Sequence, residues 1–385
     1  MASRYLTASE AAARLGIKPA SLYVYVSRGL LKSEPGEGRA RRYRTEDVDR
    51  LMSRREGADG ALDFGAPVLD SALTRIADGR YFYRGADVLH LAERANLEEV
   101  ACLLWSTDAA TAFGRGNLPA EVARPKAPAD ASIRLQSVLP LAGTLDAASI
   151  AQDRNARAAA AGRVLRLVAA TLAGKAARAR ACDAVLAEGW KLDAKGTALV
   201  RSALVICADH ELNPSSFVAR CVASTGASLY DAVAAGLAAL QGPRHGGASR
   251  RAAAWLREVD EIGDVAKAVG ERARRGDRFP AFGHPLYPDG DPRGRFLLYA
   301  LAKAYPRDAT QKRMRLIAET VATQTGTPAN IDFGLAALAR VLRLPEEAPM
   351  LIFTLGRTVG WLAHALEQQD TGRLIRPRAR YTGPI

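Results

Sequence analysis

Three of the five histidines in this sequence stand in settings suited to proton transfer or carbonyl polarisation. His210 follows an apolar stretch that ends at Ala208, and His245 has glycines on both sides, which let backbone or ligand approach it closely. His284 opens a loop that also carries Arg293. A neutral imidazole donates one hydrogen bond and accepts another, so each of these histidines is a candidate to move a proton or to polarise a carbonyl oxygen.

One carboxylate completes this group of candidates. Asp332 lies between Asn330 and Gly334, among apolar residues. Burial disfavours the charged form of a carboxyl group, so we expect the pKa of Asp332 to be raised towards the strength of a useful base. An aspartate near the start of a helix is also commonly a capping residue, and the residue types alone leave both functions open.

The spacing of the histidines does not favour a metal site, because they do not fall at the i, i+3 or i, i+4 intervals of common helical metal ligands. The cysteines stand singly, which argues against a disulfide framework and for a reducing compartment. They are Cys102, Cys182, Cys207 and Cys221. The sequence shows neither the features of a signal peptide nor a run of about 20 apolar residues, so we expect a cytoplasmic protein without a membrane span.

The elements that must position these residues are predicted to be mainly helical. The chain has 385 residues, of which 48% are hydrophobic and 25% charged, and this fits a soluble globular protein of two or three domains. From Leu62 onwards apolar residues recur with helical period, for example over 88–92 and 97–104, whereas alternating strand-like runs are scarce. We therefore predict a mainly α body.

The first 55 residues differ from this body in charge. They hold twelve basic and six acidic residues, nearly half of the chain's net charge of +13, which permits nucleic acid or acidic metabolites as partners. Thr7 and Glu10 have the spacing of a capping box that starts a helix. Pro19 starts a second helix, a basic run follows over 38–44, and Thr45 caps a third helix. The predicted order is helix, tight turn, helix, basic hairpin and helix.

This order, over roughly residues 4–55, resembles the winged helix-turn-helix module of the MerR and excisionase kind. The resemblance implies that the helix from Pro19 to Arg28 enters the major groove of DNA and that the arginines of the hairpin lie along phosphates. The candidate DNA-binding residues are Ser21, Tyr23, Arg28, Arg39, Arg41, Arg42 and Arg44. The alternative is a solvated basic face used for contact with protein.

From about Leu69 to the C-terminus, the order of the motifs resembles the citrate synthase family. The motifs are Tyr83–Asp87, Leu97–Trp105, the three histidine motifs, Asn330–Asp332, Gly356–Gln368 and Arg373–Gly383. The resemblance implies a citrate synthase-like all-α fold in which a large domain and an inserted small domain close over the active site. The implied division is a helix-turn-helix domain over 1–56, a linker over 57–66, a large domain over 67–246 and 346–385, and a small domain over 247–345.

The resemblance also implies a reaction. Acetyl-CoA or propionyl-CoA condenses with oxaloacetate, and hydrolysis of the thioester gives citrate or 2-methylcitrate and CoA, with the acyl-CoA as a cosubstrate and no permanently bound cofactor. Asp332 is the implied base, His245 the implied donor to the thioester oxygen, and His284 the implied group that polarises the ketone. A proton next to a thioester is only weakly acidic, so its removal by a carboxylate needs such donors.

The other site residues that the resemblance implies are basic. His210, Arg293 and Arg357 would hold the dicarboxylate, and Arg376 would reach in from the second subunit of a homodimer. Guanidinium groups suit carboxylates because two parallel N–H bonds fix both charge and orientation.

Two positions that bear on acyl-CoA binding differ from the family. Pro285 and Pro288 stand where many members carry a basic residue. Three functions therefore stay open. The chain could be a synthase with an appended domain, a DNA-binding transcriptional regulator whose synthase-like body senses acyl-CoA or di- and tricarboxylates, or a lyase acting on citryl-CoA. Asp332 favours the synthase, because a pure sensor could lose this base without losing ligand binding.

Overall fold

The computed structural model describes residues 5–15, 17, 22, 26, 31–36, 41–45, 47–48, 69–114, 130–151, 153–177, 179–377 and 383. The chain forms two compact units, Met1–Asp70 and Ser71–Ile385. The division into a large and a small domain within residues 67–385 stays a prediction.

The N-terminal unit begins with the predicted capped helix. Helix α1 spans Ala8–Arg14, the Thr7 hydroxyl accepts from the Glu10 backbone N–H, and the Glu10 carboxylate accepts from the Thr7 N–H at 2.8 Å, so the capping box is confirmed. Three strands, β1 (Tyr5–Thr7), β2 (Ser33–Pro35) and β3 (Arg41–Arg44), form an antiparallel sheet in the order β1-β3-β2. The buried residues of this unit are Ala11, Ala12, Leu15, Leu22, Leu31, Tyr43 and Val48.

Strands β2 and β3 are the arms of the predicted basic hairpin. Arg41, Arg42 and Arg44 are exposed on β3. Arg44 forms an ion pair with Glu34 at 2.8 Å, and the Arg42 guanidinium lies 5.2 Å from the centre of the Tyr5 ring. The other four candidate DNA-binding residues, Ser21, Tyr23, Arg28 and Arg39, lie outside the described residues, as do most of the second and third predicted helices and the linker over 57–66.

The second unit opens with a small sheet that the sequence analysis does not predict. Strands β4 (Thr74–Ala77), β5 (Arg80–Tyr83) and β6 (Ala86–Asp87) form an antiparallel meander. Tyr81 and Tyr83 alternate with exposed or half-exposed neighbours on β5 and are buried. Three strands this short carry too little alternation to stand out from the helical pattern around them.

The rest of this unit is helical, as predicted. The helices are α2 (Val88–Arg94), α3 (Leu97–Trp105), α4 (Ala109–Phe113), α5 (Ala131–Leu145), α6 (Arg154–Leu172), α7 (Cys182–Trp190), α8 (Ala194–Cys207), α9 (Pro214–Ala223), α10 (Leu229–Leu240), α11 (Gly247–Ile262), α12 (Val265–Arg274), α13 (Pro292–Ala304), α14 (Ala309–Thr325), α15 (Ile331–Val341) and α16 (Ala348–Thr371), with a 3-10 turn at Ala147–Ile150. None of the described helices is long and apolar enough to cross a membrane.

Helix α16 runs through the core of this unit and packs against α3, α6, α8, α9 and α10. Two glycines allow it to lie close to α8. A Cβ atom on Gly356 would stand 2.7 Å from the carbonyl oxygen of Leu204, and one on Gly360 would stand 2.4 Å from that of Ala208. Real Cβ atoms do not approach so closely, so only glycine lets α16 bring Arg357 against the end of α8.

Helices α13 and α15 cross where Gly294 faces the start of α15. A Cβ atom on Gly294 would stand 2.5 Å from the carbonyl oxygen of Asn330. The loop before α13 is tied to the segment before α15, because Asn330 donates through its backbone to Ala281 at 3.0 Å and through Nδ2 to the Gly283 carbonyl at 2.9 Å. This link places the loop of His284 beside the helix that carries Asp332.

Candidate active site

His245 lies in the glycine-containing turn between α10 and α11 and points towards the start of α9. Its Nε2 is 2.8 Å from the hydroxyl of Ser215, which is fully buried. Trp361 on α16 donates from Nε1 to the same hydroxyl at 3.1 Å, and Ser215 in turn lies 2.8 Å from Oδ1 of Asn213. Burial, assisted by the charge of Arg357, lowers the pKa of His245 to about 4, so the ring is neutral at neutral pH.

His284 is held by the backbone of its own loop. The backbone N–H of Leu286 donates to its Nδ1 at 3.2 Å, so the proton of the neutral ring is on Nε2. Burial and the nearby charge of Arg293 lower the pKa of His284 to about 4, although Asp291 acts in the opposite direction. His284 is therefore a neutral donor at neutral pH.

Asp332 stands in the first turn of α15 without serving as its cap. Asn330 is the capping residue, since its Oδ1 accepts from the backbone N–H of Asp332 at 2.9 Å. The partly buried carboxylate of Asp332 instead accepts from the hydroxyl of Ser249 on α11 at 3.0 Å. Burial raises the pKa of Asp332, and the hydrogen bond from Ser249 opposes this only in part. The raised pKa expected from the sequence is confirmed.

The two inner arginines are held differently. Arg293 on α13 is buried and forms a two-pronged ion pair with Asp291, with contacts of 2.9 and 2.8 Å. Arg357 on α16 is also buried, lies 4.7 Å from the centre of the Phe353 ring and donates from Nε to the Cys207 carbonyl at 3.0 Å. Within the described part of the chain its Nη2 has no hydrogen-bond partner. Arg357 therefore keeps one buried donor for a ligand.

His210 follows α8 and is buried against aromatic rings. Its ring centre is 5.3 Å from that of His284 and 5.6 Å from that of Tyr287, and its Nε2 is 2.8 Å from the Tyr287 hydroxyl. Burial lowers the pKa of His210, and the charges of Arg293 and Arg357 lower it further. This third histidine is also neutral.

The structure brings six of the seven candidate active-site residues into one cluster. They are His210, His245, His284, Arg293, Asp332 and Arg357. The seventh, Arg376, is exposed in the segment after α16, and no hydrogen bond or ion pair of its side chain is found among the described residues. That segment is fixed nearby by the Ile375 backbone N–H, which donates to the Ser224 hydroxyl at 3.1 Å.

Several residues of the cluster are absent from the sequence-based candidates. Ser215, Tyr287 and Asp291 each make a direct hydrogen bond to a candidate. Tyr287 and Asp291 lie in the same loop as His284. Their short distance along the chain from a candidate residue could have identified them from the sequence. Among the described residues, no three His, Cys, Asp or Glu side chains converge as metal ligands would.

Comparison with known proteins gives two matching family models. A model described as "Citrate synthase, C-terminal domain" matches residues 62–378, and a model of a helix-turn-helix domain matches residues 5–56. Citrate synthase 2 of Bacillus subtilis is 29% identical over 352 residues, which cover 83% of this chain and 95% of that protein. 2-Methylcitrate synthase 1 of Corynebacterium glutamicum is 32% identical over 183 residues, 47% of this chain and 48% of that protein.

A solved structure has the same fold. The citrate synthase of Thermoplasma acidophilum, in a ternary complex with carboxymethyl coenzyme A and oxaloacetate, aligns with a TM-score of 0.72 over 84% of this chain and 96% of that chain. The two sequences are 22% identical in this alignment, so the likeness concerns the fold alone.

Proposed function

Because the chain belongs to the citrate synthase family and is a transferase, we propose that it condenses acetyl-CoA or propionyl-CoA with oxaloacetate and releases CoA and citrate or 2-methylcitrate. The observation that carries this proposal is the state of Asp332. The Asp332 carboxylate does not cap helix α15, and its pKa is raised. Neutral histidines lie in the same cluster. CoA is a cosubstrate that leaves with each turnover, and the cytoplasm is the expected compartment.

Asp332 removes a proton from the carbon next to the thioester. A carboxylate with a raised pKa is a stronger base than an ordinary aspartate. The hydroxyl of Ser249 at 3.0 Å orients this carboxylate.

His245 stabilises the charge that develops on the thioester oxygen. The Ser215 hydroxyl donates to Oδ1 of Asn213 at 2.8 Å and lies 2.8 Å from Nε2 of His245, which fixes the position of the ring. As a neutral ring, His245 holds one proton and can donate a hydrogen bond to the thioester oxygen. His284 carries its proton on Nε2 and directs it to the ketone oxygen of oxaloacetate, which it then protonates.

The dicarboxylate is held by the basic residues of the cluster. The free Nη2 of Arg357 is a buried donor, and a carboxylate that enters removes the cost of leaving it unpaired. Arg293, fixed by Asp291, adds positive charge, and His210 adds a neutral ring. This combination favours a ligand with two carboxylates and a polarisable oxygen.

The family resemblance makes Arg376 the residue that completes the site from a second subunit, and an exposed apolar stripe supports a homodimer. Ile133, Leu141 and Leu145 on α5 are 50%, 51% and 43% exposed and repeat at intervals of eight and four residues, so they lie along one face. Ile150, which follows in the 3-10 turn, is 59% exposed. A surface of this kind on a described helix favours a second copy of the chain as its partner.

The experiment that tests the proposal measures thiol release from acetyl-CoA and from propionyl-CoA, each with oxaloacetate, using the full chain. Asp332→Ala is expected to remove turnover, because no other carboxylate in the cluster is available as the base, while calorimetry still shows oxaloacetate binding. His284→Ala serves as the second inactive variant. Turnover retained in Asp332→Ala would show that the base is assigned wrongly.

A DNA-binding regulator is the second candidate, favoured by the helix-turn-helix match over residues 5–56 and by the exposed arginines on β3. Phosphate contacts strengthen as salt is lowered, so the full chain should raise the fluorescence anisotropy of labelled duplex DNA most at low salt. An Arg41→Ala, Arg42→Ala double variant should weaken this binding. No change in anisotropy at low salt would remove the DNA-binding hypothesis.

A further inference from the structure

Tyr287 occupies the centre of the cluster although the proposed reaction assigns it no role. Its side chain is 2% exposed, and its hydroxyl lies 2.8 Å from Nε2 of His210. The centre of the Tyr287 ring is 5.1 Å from that of the His284 ring. The guanidinium carbon of Arg293 lies 5.6 Å from the centre of the Tyr287 ring. Among the described residues, His210 is the hydrogen-bond partner of this hydroxyl, and Nδ1 of His210 has none.

The two groups share two protons, and burial decides how many each holds. Burial raises the pKa of Tyr287 to about 12, so the phenol keeps its proton at neutral pH. Burial also lowers the pKa of His210, so the ring holds one proton and not two. One group must therefore donate to the other through the 2.8 Å contact.

The direction of this hydrogen bond follows from whether the hydroxyl proton of Tyr287 has an acceptor. If His210 donated from Nε2, the phenol proton would have no acceptor among the described residues, and leaving a buried donor unpaired destabilises the folded protein. If Tyr287 donates instead, its hydroxyl proton is accepted by Nε2 of His210. The proton of His210 is then on Nδ1.

We propose that Tyr287 is a positioning residue that holds His210 in the Nδ1–H tautomer, so that this ring offers one fixed donor to an oxygen of the dicarboxylate held by Arg293 and Arg357. The identity of that ligand rests on the proposed function, whereas the tautomer is a property of the ligand-free protein. A donor fixed before binding needs no rearrangement when the oxygen arrives, which strengthens binding of the oxo acid and leaves binding of the acyl-CoA unaffected.

Nitrogen NMR of the full chain labelled with ¹⁵N-histidine reads the tautomer directly. At pH 7 the wild-type spectrum is expected to show His210 protonated on Nδ1, and His210→Gln assigns its signals among the five histidines. Tyr287→Phe removes the hydroxyl and keeps the ring. In this variant the Nδ1–H tautomer should no longer predominate.

Steady-state kinetics supply the second measurement. Tyr287→Phe should raise the KM for oxaloacetate about tenfold, as the loss of one well-oriented hydrogen bond does, while kcat and the KM for acetyl-CoA change less than twofold. Tyr81→Phe is the matched control, because the Tyr81 ring also lies against His210, at 5.9 Å, while its hydroxyl donates to the Ile206 carbonyl. The control should keep both the wild-type tautomer and the wild-type KM.

A wild-type spectrum with the His210 proton on Nε2 would overturn the proposal. This measurement does not depend on whether any variant folds. An unchanged tautomer in Tyr287→Phe, or a KM for oxaloacetate within twofold of wild type, would also overturn it. If the wild type shows no turnover, the proposed synthase activity fails and calorimetry with oxaloacetate replaces the KM. The NMR result then still decides the function of Tyr287.

Discussion

The protonation state of each residue at the candidate site is set by its burial and by one or two named partners. His245 faces Ser215, His284 accepts from the Leu286 backbone, and both have pKa values lowered to about 4. Asp332 has a raised pKa because its carboxylate is desolvated, and the hydrogen bond from Ser249 lowers this pKa only in part. Neutral donors beside a strengthened base are the combination that abstraction of a weakly acidic proton needs.

The lowered histidine pKa values predict how stability changes with pH. An unfolded histidine has a pKa of about 6.5, so between about pH 6.5 and pH 4 the unfolded chain binds more protons at His245 and His284 than the folded chain does. The free energy of unfolding should therefore fall as the pH falls through this window. Asp332 acts in the opposite direction. Its pKa is raised in the folded chain, so it stabilises the folded chain at low pH, and this stabilisation is lost as the pH rises through the raised pKa.

Thermal unfolding at pH 7 and pH 4.5 checks this prediction. The decrease in Tm between the two pH values should be smaller in a His245→Gln, His284→Gln double variant than in the wild type. His90→Gln, at an exposed histidine on α2, is the control for the loss of a histidine side chain. An equal decrease in wild type and double variant would contradict the lowered pKa values.

At the scale of elements, close helix crossings place the site residues. Gly360 lets α16 approach the end of α8, which leads directly into His210, and Gly294 lets α13 approach the start of α15, which carries Asp332. The loop of His284 is joined to the same start of α15 through Asn330. The geometry of the site therefore depends on glycines that have no chemical role of their own.

Gly360→Ala tests the α8–α16 crossing. The added Cβ would stand 2.4 Å from the Ala208 carbonyl oxygen and 2.5 Å from Oδ1 of Asp209, so the helices must separate, at a cost of about 1–3 kcal/mol. Thermal unfolding should show a lower Tm, and the KM for oxaloacetate should rise because His210 moves. Gly270→Ala on α12 is the control, since a Cβ there meets nothing within 4 Å and should stabilise the helix by about 0.5–1 kcal/mol.

Three arginines lie just before His245 and in the first turns of α11, and we expect them to bind the acyl-CoA in place of the family's basic positions at Pro285 and Pro288. Arg244, Arg250 and Arg251 are exposed, and none of them is in an ion pair among the described residues. Arg251 donates to the Pro243 carbonyl at 2.6 Å, which keeps its guanidinium at the turn of His245.

An Arg250→Gln, Arg251→Gln variant should therefore bind the phosphates of acetyl-CoA less well. Two exposed charge contacts of at most about 1 kcal/mol each predict a rise of about tenfold in the KM for acetyl-CoA at low salt. The KM for oxaloacetate should stay constant. Arg307→Gln with Lys312→Gln removes the same charge from α14 and the loop before it, and an equal effect of that pair would argue against a local site.

At the scale of the whole molecule, the chain joins a basic unit with a helix-turn-helix match to a body of the citrate synthase family. We expect a second copy of the chain to cover the exposed stripe on α5 and to receive the exposed Arg376. Burial of Leu141 and Leu145 against a second copy would remove apolar surface from water and bring in the last basic residue of the site.

Leu141→Asp with Leu145→Asp should separate such a dimer. Light scattering coupled to size exclusion should then report the mass of one chain instead of two, and the KM for oxaloacetate should rise because Arg376 no longer arrives from the partner. Leu316→Asp is the matched control, because Leu316 is 51% exposed on α14, away from the stripe. A wild-type protein that elutes as a monomer with full activity would count against the homodimer.

The sequence by itself determined the family, the mainly α body, and the capping box of Thr7 and Glu10, because each depends on residue types and neighbours close along the chain. The contacts that set proton positions depend on distant segments. His245 and Ser215 are 30 residues apart, and His210 and Tyr287 are 77 apart, so only the packing of helices and loops brings their atoms to 2.8 Å. Only the tertiary structure decided these partners, because local preferences do not specify which distant side chains meet in a packed core.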